Sequence, residues 1–383
     1  MTSTKSFPLP DDWRDAVLVG RMDLGQGPTP VVVKEGRVFD VSATAPTTAQ
    51  LLEKWNGVPS GKDLGDINDL GLSTAWSESS KGKVKLLAPV DLQCVKACGV
   101  TFAVSAMERV IEERAQGVPA RAQAIREELA AKIGTDIRKV VPGSPEAQKL
   151  KDALIADKLW SQYLEVAIGP DAEVFTKAPP LSSVGWGDYV GIRTQSTWNN
   201  PEPEVVIVVD RNGKAVGATL GNDVNLRDYE GRSALLLGKA KDNNAASALG
   251  PFIRMFDDKF TIDHVRNAVI ELEIVGTDNY RLEGKSTMAE ISRDPLELVK
   301  QTISEHQYPD GFVLYCGTLF APTQDRDQKG FGFTHKEGDV VRVSTPKLGV
   351  LENRVTTCKQ APPWNFGIAD LMKNLVGRGL LKA

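Results

Sequence analysis

Pro201-Glu202-Pro203-Glu204-Val205-Val206-Ile207-Val208-Val209 sets two glutamates at the mouth of an unbroken β-branched run. Such a run reads as a strand. Side chains two apart on a strand share a face, so the carboxylates of Glu202 and Glu204 point the same way. Like charges held that close are costly unless something positive stands between them. A divalent cation meets that need, and hard oxygen donors suit magnesium or manganese better than zinc. Spacing alone leaves a second reading open, two solvated carboxylates at an exposed strand end.

Beyond the next apolar segment, Gly221-Asn222-Asp223-Val224-Asn225-Leu226-Arg227-Asp228 packs acids, amides and an arginine into one short stretch. Taken singly it could be a turn, since Asn and Asp favour turns through their own backbone hydrogen bonds. Lys239-Ala240-Lys241-Asp242 then leads toward Ala248-Leu249-Gly250-Pro251, where a lone lysine would normally be solvated surface.

The rest of the chain bounds the function. With 41% hydrophobic and 25% charged residues among 383, the composition is that of a globular protein large enough for a big core or two domains. A net charge of -4, without a dense basic cluster interleaved with aromatics, argues against a nucleic-acid partner. No apolar run approaches the roughly 20 residues of a membrane helix, and the first residues do not read as a signal peptide. The expectation is a cytoplasmic protein without a membrane partner. Cys94, Cys98, Cys316 and Cys358 read as buried, reduced thiols. His264, His306 and His335 are too dispersed for a histidine-rich zinc centre.

Residues 1–80 alternate short apolar runs with turns and a short helix over 48–55, which reads as a small N-terminal α+β module. Polar residues 77–83 look like a linker into a second unit spanning 86–383. Helices are expected over 103–115 and 121–133, and over 147–166 behind the cap Ser144-Pro145-Glu146. After Pro170 the character turns to β, with runs at 204–210, 268–275, 311–315 and 339–344.

Taken together, the motifs resemble the fumarylacetoacetate hydrolase superfamily. It carries E-x-E, then N-D-V-x-x-R-D, then a lysine ahead of G-P, in the order seen here for Glu202 and Glu204, Asn222 to Asp228, Lys241 and Pro251. The resemblance implies an α+β fold, a β-rich roll of mixed sheets with a helical insertion, commonly paired as a homodimer or higher homo-oligomer. It implies Glu202, Glu204 and Asp223 as ligands for Mg2+ (or Mn2+), Lys241 and Arg227 facing a small 2-keto acid, Asn222 nearby, and Thr318 on the substrate carboxylate.

One segment departs from the hydrolases. Where their G-x-N-Y-x-x-H-x-x-E supplies a histidine, Gly99-Val100-Thr101-Phe102-Ala103-Val104-Ser105 has Ser105, and a serine cannot act as the base that an imidazole can near neutral pH. Ser105 with Arg109, Glu112 and Glu113, and Ser196 to Glu204, resemble the 2-keto-3-deoxy sugar-acid dehydratase branch. Asn243-Asn244-Ala245 differs from that branch's aromatic and glycine after the lysine. Ser105 and Arg109 are then expected on the substrate.

Glu108 and Glu112, four apart in a helical stretch, share a face and are candidates for acid or base, Glu112 preferred on the dehydratase frame; a solvated helix face is the alternative. The reaction implied is loss of the carbon-4 hydroxyl from a 2-keto-3-deoxy pentonate to give 2-oxoglutarate semialdehyde. Hydrolysis or decarboxylation of diketo acids such as acylpyruvates is the competing activity, and a non-catalytic metal-binding relative is the competing class.

Overall fold

The computed structural model describes residues 8–381 apart from 56, 58–59, 78–83, 133–139, 319 and 321. Pro203–Val209 forms a strand in which every residue is buried. It lies antiparallel between Ala215–Asp223 and Phe312–Tyr315. Val205, Ile207 and Val209 enter one core cluster while Val206 and Val208 enter another on the opposite face. A strand covered on both faces gains nothing from polar alternation, which is why the run is apolar throughout.

From this centre the sheet extends through Ala215–Asp223, Ser247–Met255, Leu18–Asp23, Pro28–Lys34, Arg37–Asp40 and Lys62–Asp66 on one side. On the other it runs through Phe312–Tyr315, Cys94–Gly99 and Glu173–Ala178. Phe312–Tyr315 and Cys94–Gly99 pair in parallel, so the sheet is mixed. A second sheet orders Arg281–Thr287, Val269–Val275, Val340–Thr345, Gly349–Thr357 and Asp188–Ile192. Its Ile270, Leu272, Val341 and Leu351 share a core cluster with Val205 and Ile207. The expected β-rich roll of mixed sheets is therefore what the chain forms.

The N-terminal strands join the same large sheet, with Leu18 opposite Arg254 and Val19 opposite Ile253. Hydrogen bonding thus runs across the expected boundary between residues 80 and 86, and residues 78–83 of the expected linker lie outside those described. The short helix expected over 48–55 is Thr48–Glu53, capped by Thr47.

Helices Ala103–Ala115, Pro119–Lys132, Pro145–Ala156 and Gln162–Ile168 gather around their own apolar cluster, which includes Val110, Leu129, Leu154, Leu164 and Trp198. Ser144 caps Pro145–Ala156 by accepting from the Ala147 amide, as its sequence suggests. The single helix expected over 147–166 is corrected to two. Lys158 turns to a φ of 58°, Leu159 is buried, and Ser161 caps the next helix through the Tyr163 amide. Residue 133, the end of another expected helix, lies outside those described.

All four cysteines are free, Cys98 and Cys316 buried and Cys94 and Cys358 half-buried. Among the described residues no helix is long and apolar enough to cross a membrane.

Candidate metal centre

The antiparallel pairing of Pro203–Val209 with Ala215–Asp223 sets Pro203 opposite Asn222, and the Asp223 amide donates to the Glu202 carbonyl at 3.0 Å. That register carries Asp223 back beside the two glutamates. Ligand oxygens of Glu202, Glu204 and Asp223 lie within 4.8 Å of one another. The three residues are 3%, 1% and 1% exposed, which removes the reading of solvated carboxylates at an open strand end. Three enclosed anionic oxygens from three side chains fit a hard divalent cation.

The protein places cations of its own around the triad. Lys241, at the end of the Leu237–Lys241 helix, donates to Glu202 and to Asp223 Oδ2, the latter at 2.9 Å. Lys177 stands 2.7 Å from Asp223 Oδ1. Arg109 reaches Glu202 with one nitrogen, and with the other Glu112 at 2.5 Å and Glu230 at 3.2 Å. Arg227 meets the second Glu112 oxygen at 2.9 Å and donates to the Pro322 carbonyl. Glu204 instead accepts from the Gly317 amide at 2.7 Å. Gly317 has a φ of 101°, and a Cβ there would lie 2.0 Å from Thr101 Oγ1, so glycine is required for that close approach.

Protonation follows from this geometry. Burial would push Asp223 up, but the ammonium groups of Lys177 and Lys241 hold it below the usual carboxylate range. Glu204 is pushed well up by burial and by the charges of Asp223 and Glu202. Burial disfavours the charged form of Lys241, yet Asp223, Glu202 and Glu230 raise it above the ordinary lysine value. Burial raises Glu112 against the pull of Arg109 and Arg227.

A carboxyl absent from the sequence-based candidates joins them. Glu173 opens the strand Glu173–Ala178, which pairs antiparallel with Cys94–Gly99, Glu173 standing opposite Gly99. Its carboxylate lies over that glycine: a Cβ on residue 99 would be 1.9 Å from Glu173 Oε2. Burial, then the charge of Glu230, push Glu173 up to about 7, with Arg109 and Lys241 pulling the other way. On the same strand, the Phe175 ring lies 5.8 Å from the Lys241 ammonium. Alternation along Glu173, Phe175 and Lys177 was the signal that could have found this strip.

The structure thus gathers Glu202, Glu204, Asp223, Lys241, Arg109, Glu112 and Arg227, and adds Lys177, Glu230 and Glu173. Asn222 supports the triad by accepting from the Glu202 amide at 3.1 Å, while its buried Nδ2 has no hydrogen-bond partner among the described residues. Other candidates make contacts elsewhere. Both Glu108 oxygens bond Arg126 of the Pro119–Lys132 helix. Ser105 donates to the Phe102 carbonyl and Thr318 to that of Phe320.

Two packed mixed sheets around a buried Glu-Glu-Asp triad with an adjoining lysine define a fold whose clustered oxygen donors fit a divalent cation. The chain belongs to the fumarylacetoacetate hydrolase family, whose Fumarylacetoacetate (FAA) hydrolase C-terminal model matches residues 158–356. It is similar to the 2-dehydro-3-deoxy-D-arabinonate dehydratase of Saccharolobus solfataricus, 34% identical over 182 residues, 47% of this chain and 57% of that one. It is also similar to the probable 2-keto-3-deoxyxylonate dehydratase of Haloferax volcanii, 32% identical over 51% of this chain and 64% of that one. The matches thus span less than two thirds of either relative.

Among solved structures, the apo form of 2-keto-3-deoxy-D-arabinonate dehydratase aligns with a TM-score of 0.65 at 20% identity, covering 89% of this chain and 99% of that one. The same enzyme complexed with magnesium and 2,5-dioxopentanoate aligns at 0.61, with 21% identity and the same coverage. At these identities the likeness is one of fold.

Proposed function

We propose that this protein is a metal-dependent dehydratase of a 2-keto-3-deoxy sugar acid, acting on a pentonate to give 2-oxoglutarate semialdehyde, also called 2,5-dioxopentanoate. The observation that carries the reading is a buried oxygen-donor triad beside a carboxyl poised near neutrality, Glu173, with no imidazole bonded to either. His264 bonds Thr261, His306 the Gln307 carbonyl and His335 Asp339. The family hydrolases' histidine-activated water therefore has no counterpart in these contacts. The two dehydratases similar to this chain, and the magnesium and dioxopentanoate named with the solved one, support the same chemistry.

Glu202, Glu204 and Asp223 would hold Mg2+, with Mn2+ as the alternative. When bound, such an ion supplies Lewis-acid polarisation of a 2-keto group. Dehydration takes one proton from carbon 3 and gives one to the departing carbon-4 hydroxyl. A carboxyl ionising at about 7 is populated in both forms at neutrality. Glu173 can therefore accept the carbon-3 proton as carboxylate and return it to the hydroxyl as acid, so that water leaves, Glu173 regains its starting state, and the resulting 5-hydroxy-2-oxo-3-enoate reaches the semialdehyde by tautomerisation of its carbon-5 alcohol. The Lys241 ammonium provides positive charge for the enolate oxygen, and Phe175 keeps its apolar ring against that lysine. Arg109 and Arg227 hold Glu112 from both of its oxygens.

The test is a screen of 2-keto-3-deoxy pentonates and hexonates with Mg2+, following aldehyde product. Turnover of a pentonate to the semialdehyde is expected. Hydrolysis of fumarylpyruvate or decarboxylation of oxaloacetate, with every sugar acid inert, would overturn the reading.

A further inference from the structure

The ammonium of Lys177 is fully buried and surrounded by three oxygens: Asp223 Oδ1 at 2.7 Å, the Lys241 carbonyl at 2.5 Å and the Val224 carbonyl at 3.3 Å. An ammonium has three protons. With three oxygens around it, none is left to offer a substrate, so Lys177 is not placed to donate or carry a proton in turnover. Its position follows from the sheet. Val95 pairs with Ala178 and Lys96 with Thr176, which leaves Lys177 as the extra residue of a β-bulge on the strand's site-facing side.

Resting on the metal reading of the triad above, we propose that Lys177 is a positioning residue that joins metal ligand and catalytic lysine through a single charge. It fixes one oxygen of Asp223, which leaves Oδ2 to be shared between Lys241 and the cation. By holding the Lys241 carbonyl, it also fixes the backbone from which the Lys241 amine reaches Glu202 and Asp223. Its positive charge opposes the divalent ion at the same carboxylate, so affinity for the metal is restrained in exchange for geometry.

The sign of the effect on metal binding separates this role from a merely structural one. Lys177→Met keeps the length of the side chain and removes its charge, and Lys177→Gln removes the charge while keeping hydrogen-bond donors. In folded variants, calorimetric titration with Mg2+ alone is expected to show binding tighter by roughly tenfold or more, because a repelling charge is gone. Turnover is expected to fall about a hundredfold with little change in KM, the signature of a misplaced group rather than lost substrate binding. Folded variants that bind Mg2+ equally or more weakly would overturn the proposal.

A wild-type measurement covers variants that do not fold. In the proton–nitrogen spectrum of 15N-lysine-labelled protein, the Lys177 ammonium should resist solvent exchange before and after Mg2+ is added, while that of Lys241 shifts. Rapid exchange at Lys177 would overturn the clamp. Wild-type protein that takes up no Mg2+ or Mn2+ would instead overturn the metal reading, with the protected ammonium still reporting on the clamp.

Discussion

Lys241 Nζ and Asp223 Oδ2 lie 2.9 Å apart, and the same ammonium is bonded to Glu202. One monovalent group thus answers two of the triad's three carboxylates. A divalent ion bound by the same oxygens would compete with it, which would couple metal binding to the placement of Lys241.

Glu202→Gln and Asp223→Asn should both abolish Mg2+ binding and turnover, as should exhaustive chelation of the wild type, because hard cations are held by anionic oxygen. Their stabilities should differ. Without the charge of Glu202, Lys241 still has Asp223, and Arg109 still has Glu112 and Glu230. Without that of Asp223, Lys177 loses its carboxylate partner, a loss of about 3–5 kcal/mol for a buried pair. Calorimetry and thermal melts would check this, and equal melting temperatures for the two variants would contradict it.

Glu173 predicts a pH signature. Its folded-state ionisation, raised from 4.5 to about 7, means that the native state holds a proton the unfolded chain has released between those values. Stability from this group is therefore present below about 4.5 and is lost as pH rises to about 7. Glu173→Gln cannot ionise and should lack that slope in melts of the metal-free protein. It should also lose turnover by about 10²–10⁴-fold, together with the kinetic ionisation near neutrality. A variant with unchanged pH–rate profile would move the proton carrier elsewhere.

Gly99→Ala offers a probe that removes no charged group. The new Cβ would fall 1.9 Å from Glu173 Oε2, the far end of a flexible side chain, which can swing aside. Little change in melting temperature is expected, with turnover down about a hundredfold, the scale of a misplacement of about 1 Å. Full activity would mean that the position of Glu173 over Gly99 does not matter for chemistry.

Glu112 has both oxygens in ion pairs, with Arg109 and Arg227, and is 1% exposed. Glu112→Gln leaves Arg227 without its carboxylate partner and should cost about 3–5 kcal/mol of stability. Its turnover should keep an ionisation near neutrality, since that belongs to Glu173. Loss of that ionisation with stability unchanged would make Glu112 the proton carrier.

Much of the triad was legible because its information is local. Glu202 and Glu204 enter an apolar run that reads as a strand, although spacing alone left its end open to solvent, and Asp223 sits in an acid-amide motif whose ligand role came from the family resemblance. The helix over 147–166 was read as continuous since nothing in composition marks Lys158, whose left-handed backbone serves to bury Leu159. Glu173 and Lys177 were missed for a related reason. Beside Val174 and Thr176 they read as polar positions of an ordinary strand, and only pairing with Cys94–Gly99 reveals the bulge and the glycine beneath.

The sequence by itself determined where apolar runs become strands such as Pro203–Val209 and which carboxylates share a face, because backbone periodicity and residue chemistry act over a few neighbours; the serine in place of a histidine at residue 105 stood out only through the family resemblance. Tertiary structure decided that Asp223 folds back beside Glu202, that Lys177, Lys241 and Arg109 contact the triad, and that Glu173 ionises near neutrality. Those outcomes depend on burial and on charges brought together from distant parts of the chain, and the field at a carboxylate is a sum over neighbours in space.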